Sequence, residues 1–248
     1  MPTSGTIGEV KDIVREHFSR TQFPTGQLDQ ALAEGRRIIE HHGNFWWMRD
    51  RKDFSLAVDQ GSYSILTSTT NGLNLPNFKD AIAFSFTNTV AGVAYELIPL
   101  GTMNREEAEV EYDSGQDGSP ELVIIDNDTL YIFPEDPQLA YPCRLYYWTY
   151  TENPQLNTAT DVITKRFPMA LAYAAIAWGY EMVLKEFNGA GYFRSLLGGQ
   201  PFGHGGELAI IKKENFKRGL QDEFTLVPRL GPAVGGFRRR LDNVQIYR

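Results

Sequence analysis

The sequence predicts an α+β fold in which an antiparallel helical bundle, formed by N- and C-terminal helices, carries an inserted antiparallel β module and an extended C-terminal arm. Three observations predict this architecture. Apolar residues recur at helical period near both ends, they alternate in the middle, and the last 25 residues follow neither pattern. The expected boundaries are 1–50 with 160–223 for the bundle, 51–159 for the β module and 224–248 for the arm.

The first segment predicts two helices separated by a break. A single apolar face at helical period is formed by Ile7, Val10, Ile13, Val14 and Phe18. Pro24 and Gly26 interrupt this pattern, and a second apolar series then continues as far as Gly43.

The helical period returns after residue 161. Residues 167–187 predict one long helix, and its five alanines would let a neighbouring backbone approach closely. Glycine-rich loops at 189–191 and 198–206 follow, and residues 207–223 predict a last amphipathic helix.

Between the helices, short alternating segments predict strands. These segments are 54–58, 62–67, 82–86, 94–99, 107–112, 122–125, 129–133 and 144–150. Asp126-Asn127-Asp128 is typical of a tight hairpin loop. Short strands at hairpin spacing predict a small antiparallel sandwich or barrel.

Composition and charge are those of a soluble globular protein with an acidic body. The chain has 248 residues, of which 42% are hydrophobic and 22% charged, and its net charge is −7. The arm carries five arginines and one aspartate, so it is +4 and residues 1–223 are −11, which makes the body a poor general binder of nucleic acid. The apolar segment 167–184 is rich in alanine, glycine and aromatic residues, which favours an interior helix over a membrane span.

The side chains that could support catalysis or metal binding lie in unfavourable settings. Cys143 is the single cysteine, stands in a strand-like context, and excludes an internal disulfide and a cysteine-based zinc site. His41 and His42 are adjacent on a helix and point about 100° apart, so they cannot easily chelate one metal ion. His204 and Glu207 form an H-x-x-E pair, but in a glycine loop that would not fix their orientation.

Nucleotide and nucleophile motifs are incomplete. Gly198 and Gly203 have P-loop spacing, but the Lys-Ser/Thr pair is missing and the loop follows a helix. No G-x-S-x-G nucleophile motif occurs. We therefore expect neither enzymatic activity nor a cofactor or metal ion.

Two clusters leave alternatives open. Glu107, Glu109 and Glu111 would share one face of a strand, as a solvated outer face or as glycosidase carboxylates. Aromatic residues gather at 45–47 and at 141–150, where packing competes with a sugar- or base-stacking platform.

The arm is basic and tipped with aromatic residues, which suggests attachment to a large partner. Its attachment residues are predicted to be Phe237, Arg238, Arg239, Arg240 and Tyr247. An arm without a core should become ordered only on docking.

The order of several local patterns resembles one known family. An aromatic-basic junction at 45–49 precedes Phe54 and Gly61-Ser62-Tyr63, and strand patterns at 130–134 and 145–147 follow. A turn, Pro154-Gln155-Leu156, then leads into the alanine-rich helix. Over roughly residues 10–222 this order resembles the tailed-bacteriophage head-to-tail adaptor (connector) proteins.

The resemblance implies a structural virion protein of the phage neck, without catalysis, that is assembled in the host cytoplasm. Such adaptors form twelve-fold rings that dock on the portal protein, receive the tail or a stopper protein, and let DNA pass through the bore. A C-terminal arm often acts as a clasp on the portal. Within such a ring, Glu107, Glu109 and Glu111 are candidates for a negative lining of the bore.

Two other functions remain alternatives on the sequence alone. A carbohydrate-active tail component would use the three glutamates with aromatic subsites. A DNA-binding virion protein would use Arg238, Arg239 and Arg240, and its affinity would fall steeply with salt.

Overall fold

The computed structural model describes residues 5–18, 23–67, 72–88, 93–98, 100–101, 104–112, 117–137, 139–198 and 205–218. Within these residues the α-helices are α1 (Ile7–Phe18), α2 (Leu28–His41), α3 (Arg105–Glu111), α4 (Val162–Arg166), α5 (Pro168–Trp178), α6 (Phe187–Gly198) and α7 (Glu207–Lys217). The strands are β1 (Arg49–Ser55), β2 (Ser62–Ser64), β3 (Phe78–Asn88), β4 (Val93–Ile98), β5 (Asp117–Gly118), β6 (Leu122–Asp126), β7 (Thr129–Phe133), β8 (Asp136–Pro137) and β9 (Pro142–Thr149). The predicted α+β class is therefore confirmed, whereas the arm from 224 to 248 lies outside the described residues.

The main sheets are antiparallel. One has the strand order β1-β9-β3-β4 and the other the order β2-β7-β6, and β5 and β8 form a short parallel pair. Antiparallel strands can bury different residues on their two faces, because successive side chains point to opposite sides. Strand β9, second in the four-stranded sheet, uses both faces in this way.

The two faces of β9 belong to two different hydrophobic cores. Trp148 packs in a core with α1, α2, α5, α6 and α7, whereas Leu145 and Tyr147 pack in a second core with the three-stranded sheet. This division follows the alternation along the strand. The division of the chain at 51 and 160 into separate domains stays a prediction.

A third cluster lies on the other side of the three-stranded sheet. Val123 and Ile132 face the second core, while Leu122 and Phe133 pack with Ala108 of α3. The layers therefore run from the helices through the four-stranded sheet and the three-stranded sheet to α3. Helix α3 lies at one end of this order, and α7 belongs to the helical layer at the other end.

The predicted hairpin at residues 126–128 is present. Asp126 pairs with Thr129, which leaves Asn127 and Asp128 as a two-residue loop between β6 and β7. Both loop residues have positive φ, 44° and 62°. A type I′ turn requires this conformation, and Asn and Asp adopt it more readily than most residues.

The predicted strand at 107–112 is wrong, because these residues form helix α3. Asn104 and Glu107 make a capping box, in which Glu107 Oε2 accepts a hydrogen bond from the Asn104 backbone N–H at 3.3 Å. The buried Ala108 holds the helix against β6 and β7. Local capping and one buried contact thus override the apparent alternation.

The predicted single helix at 167–187 is also wrong. Helix α5 ends at Trp178, a π-helical segment covers Gly179–Leu184, and Lys185 reverses the chain with φ of 59°. Gly189, predicted to lie in a loop, is instead part of α6 and lets the Tyr180 ring approach it closely. The reversal allows Phe193 to pack on Tyr180 at 5.9 Å, which a continuous helix would prevent.

In the described part of the chain, no helix is both long enough and apolar enough to cross a membrane. Helix α5 is apolar because it is buried on nearly all sides by the other helices. Its small side chains permit the closest approach in the helical core, where Gly35 of α2 lies directly over the α5 backbone.

Gly35→Ala should destabilise the protein although alanine is the better helix former. A Cβ atom at this position would lie 2.7 Å from Ala175 N and 3.0 Å from Ala175 Cα, so two helices must separate. The expected net loss is about 1–2 kcal/mol of unfolding free energy, since overpacking outweighs a propensity gain of about 1 kcal/mol. Urea unfolding at 25 °C measures this difference.

Gly191→Ala in α6 is the matched control. A Cβ atom there meets no atom within 4 Å, so only the gain in helix propensity remains. Equal effects of the two substitutions would contradict the close contact between α2 and α5.

Candidate functional site

A buried polar network joins helix α2 to the segment that follows β9. The Arg36 side chain is only 2% exposed, and its guanidinium donates in three directions. Nε donates to Asn153 Oδ1 at 2.6 Å, Nη1 to Thr151 Oγ1 at 2.9 Å, and Nη2 to the Asp161 carboxylate. A buried charge is tolerated only with such complete pairing.

Glu40 is the second ionisable member of this network and is fully buried. Its Oε1 accepts hydrogen bonds from Thr151 Oγ1 at 2.5 Å and Trp47 Nε1 at 3.1 Å, and its Oε2 accepts one from Thr151 N at 2.9 Å. Burial raises the pKa of the Glu40 carboxyl, and it outweighs the lowering effects of Thr151, Arg36 and Trp47.

A raised pKa in a carboxylic acid is a feature of catalytic acids as well as of buried structural groups. Here both Glu40 oxygens are engaged by protein donors and neither reaches solvent. Lys79 also ties β3 to the end of α2, because its Nζ donates to the carbonyl oxygens of Glu40 at 2.6 Å and Gly43 at 2.7 Å. The geometry supports a structural joint between the helices and the four-stranded sheet.

Sequence reasoning missed this network. Arg36 and Glu40 continue the buried side of α2 at intervals of four residues after Leu32, and this spacing was the available signal. Charged residues on a helix are usually solvated, so the pattern alone would not have distinguished them from surface residues.

A cleft of about 380 Å³ lies beside the joint, between α2 and residues 150–155. Its charged residues are largely engaged with one another or with amides: Lys11 Nζ lies 2.6 Å from Asp29 Oδ1 and donates to Asn157 Oδ1 at 2.8 Å. This lining does not single out an acid or a base for catalysis.

The three predicted glutamates do not share one face. On helix α3, Glu109 Oε1 accepts a hydrogen bond from Arg105 Nε at 2.5 Å, whereas Glu107 and Glu111 lie one turn apart on an exposed strip. The structure thus separates Glu109 from the other two. A pair of glycosidase carboxylates on one strand face is not formed.

The α7 groove is a second surface feature, and sequence reasoning did not find it. This open hollow of about 490 Å³ is lined by Arg166, Phe167, Ile210, Lys213, Glu214 and Lys217. Three cations and one carboxylate give it a net charge of +2 on an otherwise acidic body. Arg166 Nη1 lies 3.2 Å from Glu214 Oε1 and links α4 to α7 across the groove.

The aromatic residues at 45–47 serve packing. Phe45 stacks on Trp47 at 4.6 Å within the helical core, and Arg218 lies 4.3 Å from the Trp46 ring. The Trp46 backbone N–H donates a hydrogen bond to Asn215 Oδ1 at 3.2 Å. Phe45 is buried and the two tryptophans are partly buried against the helical core, so all three rings contribute to packing.

The remaining predicted residues lie at buried, exposed and undescribed positions. Cys143 lies in the second core, and burial raises the pKa of its thiol to about 12. His41 Nδ1 lies 3.1 Å from the Tyr150 hydroxyl. No group of three His, Cys, Asp or Glu side chains suited to a metal ion occurs among the described residues. His204 and the arm residues Phe237, Arg238, Arg239, Arg240 and Tyr247 lie outside the described residues.

Glu40→Gln should change how stability depends on pH. Because the folded protein raises the pKa of Glu40, the protonated form is favoured in the folded state. The contribution of this group is therefore complete below the ordinary pKa of about 4.3 and is lost as pH rises through the folded value. The amide does not titrate, so the variant lacks this loss.

We expect the variant to be less stable by about 1–3 kcal/mol at acidic pH, because an amide NH₂ would oppose a Thr151 or Trp47 donor. The deficit should shrink towards neutral pH, as measured by urea unfolding across the range. Glu16→Gln, at an exposed position, is the control. A deficit that grows with pH would show that the carboxylate is stabilised by folding.

Comparison with known proteins adds an independent observation to this geometry. The family model described as SU10 adaptor protein matches residues 5–200, a span that includes α1 to α6 and every described strand. No curated protein matches the chain significantly. Because the family match covers far more than half of the sequence, the protein belongs to the SU10 adaptor protein family, a family of phage head-to-tail adaptors.

Proposed function

We propose that this chain is the subunit of a twelve-fold adaptor ring that docks on the portal, joins it to the tail or a stopper protein, and encloses part of the DNA passage. The observation that carries this proposal is the family match over residues 5–200. We further propose that the protein is a structural component of the virion neck, assembled in the host cytoplasm.

The layered fold supports assembly into a ring. One end of the layer order consists of helices around α5, and the other consists of a β sheet covered by α3. The two ends therefore offer surfaces of different shape and chemistry. A ring subunit needs two unlike lateral surfaces, because its contacts with neighbours are heterologous.

The C-terminal arm is the proposed clasp on the portal. Phe237, Arg238, Arg239, Arg240 and Tyr247 supply apolar anchors and positive charge on a segment of net charge +4. Ordering about 20 residues costs about 1–2 kcal/mol each, so one arm binds modestly. Many arms in a ring bind together, and multivalency compensates for this cost.

The structure removes part of the geometric argument for the proposed bore lining. The prediction assumed that Glu107, Glu109 and Glu111 lie together on a strand, but on α3 only Glu107 and Glu111 share a strip. The carbohydrate-active alternative depended on the same strand face, which is not formed. The bore lining by α3 stays a prediction.

A truncation at residue 223 tests the role of the arm. The full chain should form a ring-sized complex with the portal protein, measured by sedimentation velocity or native mass spectrometry. The truncated chain should retain its fold and bind the portal at least about tenfold more weakly, because the multivalent attachment is removed.

Two variants of the arginine run serve as a matched pair. Replacing Arg238, Arg239 and Arg240 by lysine keeps the charge, and replacing them by glutamine removes it. Lysine should preserve most of the binding and glutamine should weaken it, more so at low salt. A protein that stays strictly monomeric, alone and with the portal, would contradict the proposed function.

A further inference from the structure

The outer face of helix α3 is exposed and acidic with an apolar centre. Ala108 anchors the opposite face in the cluster with β6 and β7. Val110 is 83% exposed, which is more than any other large hydrophobic residue in the described part of the chain. Glu106, Glu107 and Glu111 are also exposed and, among the described residues, none of them forms an ion pair.

The α7 groove has the opposite charge and a similar apolar centre. Ile210 is 51% exposed beside the largely buried Phe167. Lys213 and Lys217 are exposed and form no ion pair with any described residue, while Arg166 is paired with Glu214. The groove therefore offers two available cations around apolar surface, which suits an acidic protein segment better than bare DNA.

The two surfaces also agree in dimensions. Helix α3 has seven residues and is about 10 Å long, and the stretch from Ile210 to Lys217 has a similar length. Glu107 and Glu111 are four residues apart, as are Lys213 and Lys217, so each pair is spaced by one helical turn. Val110 and Ile210 supply the apolar contact between the charged pairs.

We propose that helix α3 of one subunit docks into the α7 groove of the next subunit and forms the heterologous contact of the ring. This inference rests on the proposed function and names the surfaces by which that ring would close. Within one chain two β sheets separate α3 from α7, so the contact joins different copies. Surfaces at the two ends of a layered subunit allow head-to-tail addition, which closes when the rotation between copies permits.

Charge reversal at each surface tests the contact. Glu106→Lys with Glu111→Lys makes α3 basic, and Lys213→Glu with Lys217→Glu makes the groove acidic. Glu107 is left unchanged because its carboxylate caps α3. Each double variant alone should raise the concentration needed for assembly by about tenfold or more, because like charges then meet.

A chain that carries all four substitutions should assemble again, since its two surfaces are once more opposite in charge. Sedimentation velocity and native mass spectrometry, on the protein alone and with the portal, measure the assembly. Restoration would be difficult to explain by misfolding of either double variant. Val110→Asn is an uncharged second probe and should weaken assembly at every salt concentration.

The control variant carries Glu16→Lys with Glu186→Lys, at exposed positions away from α3 and the groove. It changes the net charge by the same amount as the double variant of α3 and should assemble like the wild type. Wild-type rings together with unimpaired assembly of both double variants would overturn this contact and leave the proposed function intact. Impaired DNA passage through rings assembled from the Glu106→Lys and Glu111→Lys variant would then favour the bore lining. A wild type that never assembles, alone or with the portal, would overturn both proposals.

Discussion

The burial of the Arg36 guanidinium is the constraint on which the arrangement of helices and sheets depends. A charge removed from water must be paired in full, and the three acceptors come from the segment between β9 and α4. Asp161 accepts a hydrogen bond from Arg36 and at the same time caps α4 by accepting from Thr164 N at 2.8 Å. The start of α4, and through it α5, is thereby fixed relative to α2.

Strand β9 transmits this constraint to the rest of the protein. At the end of β9 near the joint, Trp148 packs with the helices, while Leu145 and Tyr147 pack in the second core. The three-stranded sheet and then α3 follow from that core. The positions of both outer layers therefore depend on one strand whose two faces are buried in different surroundings.

The sequence predicted those parts of the fold that follow from local chemistry. The strand predicted at 144–150 is present as β9, and the Asn127-Asp128 loop forms the expected hairpin, because both features depend on a few neighbouring residues. The family resemblance is confirmed as well. The alternating glutamates are typical of a strand, and they led to the wrong prediction for residues 107–112. The Asn104–Glu107 capping box is the local signal that favours helix α3.

The candidate site was harder to predict, because its elements come together only in the folded chain. Arg36 and Thr151 are far apart in sequence, and the α7 groove needs both α4 and α7. The break after α5 depends on the packing of Phe193 against Tyr180, which no local pattern reveals. The residues of the arm lie outside the described part, so their role stays a prediction.

The charge distribution is compatible with the proposed association of an acidic protein with copies of itself. A body of −11 repels its neighbours as a whole, but at physiological salt this repulsion is screened beyond about 8 Å. Charges brought together across a contact lie within that distance, so the local pattern outweighs the net charge. The basic α7 groove and the acidic α3 helix provide such a pattern at opposite ends of the layered subunit, and it would favour the proposed head-to-tail contact over non-specific association.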